Sequence, residues 1–153
     1  MQKITPNLWF AENASEAVDF YVSVFKESKI ISTTYYPTEG LADFQKAFAG
    51  KVLTIEFELH GQRFVAINAG NEFSFTEAVS FAVSCKDQTE IDYYWAKLST
   101  VPSSEQCGWC KDKYGLSWQI VPENVEELMK RPGAFDVLMH QKKIVIDEYQ
   151  SKN

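Results

Sequence analysis

Asp112-Lys113-Tyr114-Gly115-Leu116-Ser117-Trp118-Gln119-Ile120-Val121-Pro122 is the stretch whose reading decides the fold. Gly115 supplies the permissive backbone that a tight turn needs, and the Asp112 side chain can hydrogen-bond locally to start that turn. Leu116 to Val121 is a short β-prone run, and Pro122, which has no N–H, stops it. The segment therefore reads as a tight turn feeding a strand. Just upstream, Gly108 to Lys111 leads into it.

The chain repeats one order of elements. Ile4 to Ala11, containing Leu8-Trp9-Phe10, reads as a strand. Asn13 or Ser15 can cap a helix whose apolar positions Ala17, Val18, Tyr21, Val22 and Phe25 follow helical spacing. Lys29 to Tyr36 is a second strand, and Pro37 to Gly50 is a long loop with a helical turn around Asp43 to Phe48. Val52 to Leu59 and Arg63 to Ala69 form a hairpin across His60-Gly61-Gln62. In the second half, Ala78 to Cys85 is a strand. Asp87 to Leu98 is a helix capped by Asp87 or Thr89, with Ile91, Tyr94, Trp95 and Leu98 on one face. A looser region runs from there to Cys107. Val18-Asp19-Phe20-Tyr21 is echoed by Ile91-Asp92-Tyr93-Tyr94 in the second helix, which with the shared order supports duplication. The expectation is one domain over residues 1–153 holding a first module at about 3–70 and a second at about 76–122. A C-terminal helical tail over 123–150 follows, with a short helix at Val125 to Lys130 and a longer one at Ala134 to Tyr149. Fraying is expected from Gln150 onward.

With 153 residues, 45% hydrophobic and 14% aromatic, the chain has ample material for a core. Its formal charge of −6 argues against a nucleic-acid partner, because phosphate contacts need clustered Lys and Arg. No apolar run approaches the ~20 residues of a membrane span. Met1 to Pro6 lacks the basic-then-apolar layout of a signal peptide, and three cysteines suit a reducing compartment better than a disulfide framework. A cytoplasmic protein is expected, with no membrane partner.

Several segments then carry a resemblance together: Ile4-Thr5-Pro6-Asn7-Leu8-Trp9-Phe10, Ala17-Val18-Asp19-Phe20-Tyr21-Val22-Ser23-Val24-Phe25, Ile55-Glu56-Phe57-Glu58-Leu59-His60-Gly61-Gln62-Arg63-Phe64, Ile67-Asn68-Ala69-Gly70, Ser80-Phe81-Ala82-Val83, Asp92-Tyr93-Tyr94-Trp95, and Cys107-Gly108-Trp109 leading into the Asp112 stretch. This ordered set resembles the PhnB-like branch of the vicinal oxygen chelate superfamily, which includes glyoxalase I, extradiol dioxygenases and bleomycin-resistance proteins. The likeness runs roughly from Lys3 to Ile146. It implies an α+β fold of paired βαβββ modules whose curved sheets enclose a ligand cavity, usually within a homodimer. Members often carry a 3-demethylubiquinone-9 3-methyltransferase-like label. The residues give that activity no support, since the seven glycines never fall as Gly-x-Gly and no Gly-rich loop opens a helix.

In metal-dependent members of the superfamily, His, Gln or Glu side chains converge from four strands. Matched by motif, those places fall on Pro6, near Asn68, on Ser80 and on Gln119; the last is where the superfamily pattern has Glu. Pro6 has no donor atom, and the other three are neutral, so the set offers no charge to offset desolvation of a divalent ion. His60 and His140 lie elsewhere. The expectation is no metal and no cofactor, with Gln119 a polar lining residue that hydrogen-bonds a ligand or water. If Pro6 and Gln119 face the cavity, strand alternation sends Leu8, Phe10 and Ser117 there too, and Trp9 and Trp118 to the helical layer. The expected lining is thus Leu8, Phe10, Asn68, Ser80, Ser117 and Gln119, a mostly apolar pocket with a few polar anchors. Thr54, Glu56 and Glu58 share one strand face; Glu56 is a candidate general base if that face lines the cavity, and a solubilising charge if it is wet.

Cys107-Gly108-Trp109-Cys110 has the spacing of a dithiol centre, but a turn and strand follow it where a thiolate-stabilising helix should be. Neither histidine lies in a nucleophile motif. The reading that follows is a metal-free protein that binds a small organic ligand. Its alternatives are a lyase, isomerase or oxygenase with a weak metal site, and a dimeric interaction module.

Overall fold

The computed structural model describes residues 2–150, so the residues past Gln150, where fraying is expected, lie outside the described ones. The chain divides into two compact units between Ser74 and Phe75.

In the first unit the alternation of Val52 to Asn68 decides the sheet. β3 (Val52–Leu59) and β4 (Gln62–Asn68) pair antiparallel with Phe57 opposite Phe64 and Leu59 opposite Gln62. His60 and Gly61 close the hairpin with φ of 47° and 85°, the pair of left-handed residues that a tight two-residue hairpin turn requires. β1 (Asn7–Phe10) adds in parallel to β4, and β2 (Lys29–Tyr35) adds antiparallel to β3, giving the order β1-β4-β3-β2. β1 is shorter than the expected Ile4 to Ala11. The long loop holds a 3-10 turn at Asp43–Phe48, as expected.

α1 (Ala14–Val24) covers one face of this sheet with Ala14, Ala17, Val18 and Tyr21, none of them exposed. The Tyr21 ring lies near-parallel to that of Phe57 at 6.4 Å, and Phe57 to Phe64 at 5.5 Å. Each such buried side chain contributes about 1.5–3 kcal/mol by leaving water. Neither Asn13 nor Ser15 caps α1. The cap comes from across the unit: Asn68 Oδ1 accepts the Ala14 N–H at 2.9 Å, while its Nδ2 donates to the Val52 carbonyl.

The second unit begins with β5 (Ser80–Cys85) and α2 (Gln88–Leu98). Asp87 caps α2 as expected, its Oδ1 accepting the Glu90 N–H at 2.9 Å. β6 (Trp109–Lys111) and β7 (Ser117–Pro122) complete a sheet of order β5-β7-β6, with β5 parallel to β7. The expected βαβββ order therefore loses one strand here. The missing strand leaves a trace, since the Thr100 N–H reaches the Lys111 carbonyl at one end and Gln106 bridges to Trp109 at the other. Between them Pro102–Ser104 turns as a 3-10 helix, because Pro102 brings a fixed φ and no ladder N–H.

The turn at Asp112 is held by a single side chain. Asp112 is fully buried; its Oδ1 accepts the N–H groups of Tyr114 and Leu116, and its Oδ2 accepts Trp118 Nε1–H at 2.8 Å. Two helices follow β7, α3 (Val125–Met129) and α4 (Ala134–His140). The single helix expected over Ala134 to Tyr149 is broken after His140, and only a 3-10 turn at Ile146–Tyr149 resumes it. The break lets the backbone pair with neighbours: the Gln141 and Lys142 carbonyls accept the N–H groups of Cys107 and Gly108, and Gln88 of α2 clamps Ile144 and Ile146.

Candidate functional site

In each unit the helix covers one sheet face and leaves the other, here called the helix-free face, to the polar residues of alternate strand positions. In the second unit α2 buries Ile91 and Leu98 against the side that carries Cys85, Cys110, Trp118 and Ile120. Burial pushes the thiols of Cys85 and Cys110 up to about 12, with nearby carboxylates adding to it; for Cys85 those are Glu90 of α2 and its capping residue Asp87. A thiol held protonated on the covered face cannot serve a dithiol centre, which agrees with the reading of Cys107 to Cys110.

The opposite side of that sheet presents Trp109, Lys111, Ser117, Gln119 and Ser80. Register fixes the grouping: Ser117 lies opposite both Ser80 and Lys111, and Gln119 opposite Trp109. Gln119 Nε2 donates to Ser80 Oγ at 2.9 Å. The Ser117 hydroxyl is buried, with the residue 1% exposed, and has no hydrogen-bond partner among the described residues. Leaving such a group unpaired costs ~1–3 kcal/mol, so a fold that keeps it there has reason to satisfy it in another state. Lys111 pairs with Glu77, and this hydrogen bond is the main cause that lowers the Glu77 carboxyl below its usual range. Ser80, Ser117 and Gln119 thus come together on one face, with Trp118 on the helix side.

The first unit reverses the expected assignment. Leu8 and Phe10 lie in register with Ala66 and Asn68, and all four are buried on the side that packs under α1. Asn68 is committed to capping that helix. These three residues are helix-layer residues, a correction to the expected lining. Trp9 takes the other side; its Nε1–H donates to the Gly70 carbonyl at 2.8 Å and its ring meets Phe73 edge-on. The physical reason is register. The expectation took Pro6 to face the cavity and counted from it by strand alternation, and a one-residue error at that starting point exchanges the two faces of β1.

Glu56 lies on the helix-free face of the first sheet, on the same side as Trp9. Arg63 Nη1 approaches its Oε1 at 3.2 Å, and Ser32 Oγ its Oε2 at 3.4 Å. The guanidinium and the hydroxyl thus engage both carboxylate oxygens of Glu56. A depression of 290 Å³ bounded by Gln2, Glu58, Gly61 and Arg63 lies at the hairpin end of this sheet.

The donor set does not fit a metal. Asn68 is spent on α1, and Ser80 and Gln119 are neutral and bonded to each other. No group of three or more His, Cys, Asp or Glu suited to a metal occurs among the described residues. Trp109, Lys111 and Glu77 were not among the expected site residues. The hairpin signal could have found the first two, because a turn spanning Asp112 to Leu116 pairs Lys111 with Ser117 and Trp109 with Gln119.

These features define an α+β protein of the glyoxalase/bleomycin-resistance fold, built from repeated strand–helix–strand units. The family described as 3-demethylubiquinone-9 3-methyltransferase matches residues 2–121, and the chain belongs to that PhnB-like family. It is 37% identical to the PhnB protein from Bacillus cereus, whose 3-demethylubiquinone-9 3-methyltransferase label is provisional. That likeness covers 78% of this chain and 99% of the other, with a TM-score of 0.63. Protein PA1353 from Pseudomonas aeruginosa is 13% identical over 80% of this chain and 98% of its own, with a TM-score of 0.55. The fosfomycin resistance protein FosX from Mesorhizobium loti is 13% identical over 86% of this chain and 100% of its own, with a TM-score of 0.52. The last two show the fold alone. No curated protein matches the chain. Among the described residues, no helix is long and apolar enough to cross a membrane.

Proposed function

We propose that this protein binds a small organic ligand, without a metal, on the helix-free face of its second sheet. The observation that carries the reading is the buried Ser117 hydroxyl, unpartnered among the described residues, beside the neutral Ser80–Gln119 pair. Neutral polar groups beside an aromatic wall are what a small-molecule site uses to orient a ligand. They supply neither the charge to hold a divalent ion nor a nucleophile with its base. The methyltransferase label of the family adds no support, because the glycines offer no nucleoside cradle. By resemblance to the superfamily we extend the proposal to a homodimer in the cytoplasm.

The test combines elemental analysis of protein purified without chelator with thermal shift across a panel of small metabolites. The expected result is no stoichiometric metal and a rise in Tm with at least one compound, since a ligand that binds only the folded state stabilises it by mass action. Ser117→Ala should weaken that compound without lowering the Tm of the free protein. Stoichiometric zinc, nickel, manganese or iron would sink the metal-free reading. A flat response to the whole panel would favour the interaction-module alternative.

A further inference from the structure

We infer that the ligand of the second sheet carries a carboxylate, that Lys111 receives it, and that Glu77 occupies Lys111 until it arrives. The inference rests on the small-ligand reading above and adds the charge of the ligand and the residue that competes with it. Lys111 and Ser117 are direct neighbours across β6 and β7, and Ser117 and Ser80 across β7 and β5. Directly opposed residues on one sheet face bring their Cβ atoms to about 4.5–5.5 Å, within reach of a single small functional group. An ammonium, the orphan Ser117 hydroxyl and the amide of Gln119 therefore converge on one strip of the sheet.

A carboxylate has two oxygens and suits such a strip: one meets the ammonium and the other accepts the Ser117 hydroxyl proton. The Ser117 hydroxyl is 37 positions from Ser80 in sequence and three strands meet around it, so its burial is a property of the sheet and not of a loop. The present partner of Lys111 is of a different kind. The Lys111 side chain is 23% exposed and anchored in β6, whereas that of Glu77 is 60% exposed. Glu77 belongs to a segment before β5 with no helix or strand, so its carboxylate can leave without breaking a sheet bond. Glu77 thus holds the ammonium from the solvent side, as an internal stand-in for the ligand's own carboxylate. Trp109, opposite Gln119, and Val121, two residues beyond Gln119 on the same strand, offer an apolar wall to the ligand body.

The experiment is isothermal titration of benzoate, with benzamide as its neutral isostere, into the wild-type protein, Glu77→Gln and Lys111→Met at fixed ionic strength. Glu77→Gln should bind benzoate about fivefold more tightly than wild type, the scale on which a partly exposed ion pair competes. Lys111→Met should lose benzoate, and benzamide should respond to neither substitution. Equal or weaker benzoate binding by Glu77→Gln overturns the inference, as does undiminished binding by Lys111→Met or no binding of benzoate to Glu77→Gln at all. The Glu77→Gln result decides by itself if Lys111→Met does not fold. A metabolite panel that shifts the Tm only with neutral compounds removes the carboxylate and keeps the small-ligand reading; a panel with no effect removes both.

Discussion

Asp112 joins the turn and the strand of the second unit in a single side chain. Its two carboxylate oxygens accept two backbone N–H groups and the Trp118 indole N–H; the bonds from Leu116 and Trp118 are buried and that from Tyr114 is part-buried. Asp112→Ala orphans three donors at once and should cost about 3 kcal/mol or more, read as a lower urea midpoint at unchanged slope. Asp112→Asn keeps one oxygen for the backbone N–H groups but turns an amide donor toward the indole, so it should fall between wild type and Asp112→Ala. Gly108 is a second fixed point. Its φ is +85°, and a Cβ there would lie 2.8 Å from Ile144 Cδ1 and 3.1 Å from the Ile120 carbonyl. Gly108→Ala combines backbone strain with that overlap and should cost about 1–3 kcal/mol in the same measurement.

At the scale of elements, side chains distant in sequence decide what local patterns leave open. Gln88, on the first turn of α2, donates to the Ile144 carbonyl and accepts the Ile146 N–H, so it fastens the C-terminal segment to the helix. Gln88→Ala should cost about 1–2 kcal/mol and speed amide exchange at Ile146, while exchange in β7 stays slow. Asn68→Ala should cost a similar ~1–2 kcal/mol through the lost cap of α1. Much of the element order was legible in the sequence, because β-branched runs, Gly turns and the 3.6-residue spacing of α1 and α2 are local signals. The Asp112 turn and the Ser80, Ser117 and Gln119 face could be read for the same reason. What could not be read depends on partners far along the chain. Asn68 looked like a lining residue because its target, the Ala14 N–H, lies across the unit. Leu8 and Phe10 were sent to the wrong face because their side was counted from Pro6, whereas the pairing of β1 with the distant β4 decides which side faces α1. The break after His140 was hidden because its cause is the pairing of Gln141 and Lys142 with Cys107 and Gly108.

For the molecule as a whole, three buried groups titrate in the same sense. The thiols of Cys85 and Cys110 are pushed from an ordinary value of 9.0 up to about 12, and the Tyr149 phenol from 10.0 up to about 12, in each case chiefly by burial. All three are neutral below their ordinary values in both folded and unfolded chains, so their contribution to stability is fully present there. As pH rises past 9, the unfolded chain begins to lose these protons while the fold retains them. The unfolded state then binds fewer protons, and stability falls progressively until the folded values near 12 are passed. The expected outcome is a urea midpoint nearly constant from pH 7 to 8.5 that declines steadily above about 9. The thiols provide a second readout of the same burial. Cys107 is half-buried, whereas Cys85 and Cys110 are both buried on the helix side. At pH 8 a disulfide reagent should titrate one thiol rapidly in the native protein and the other two only at the rate of unfolding, with all three reacting at once in urea. Rapid reaction of all three in the native state would mean that the helix-covered face of the second sheet is not the closed layer described here.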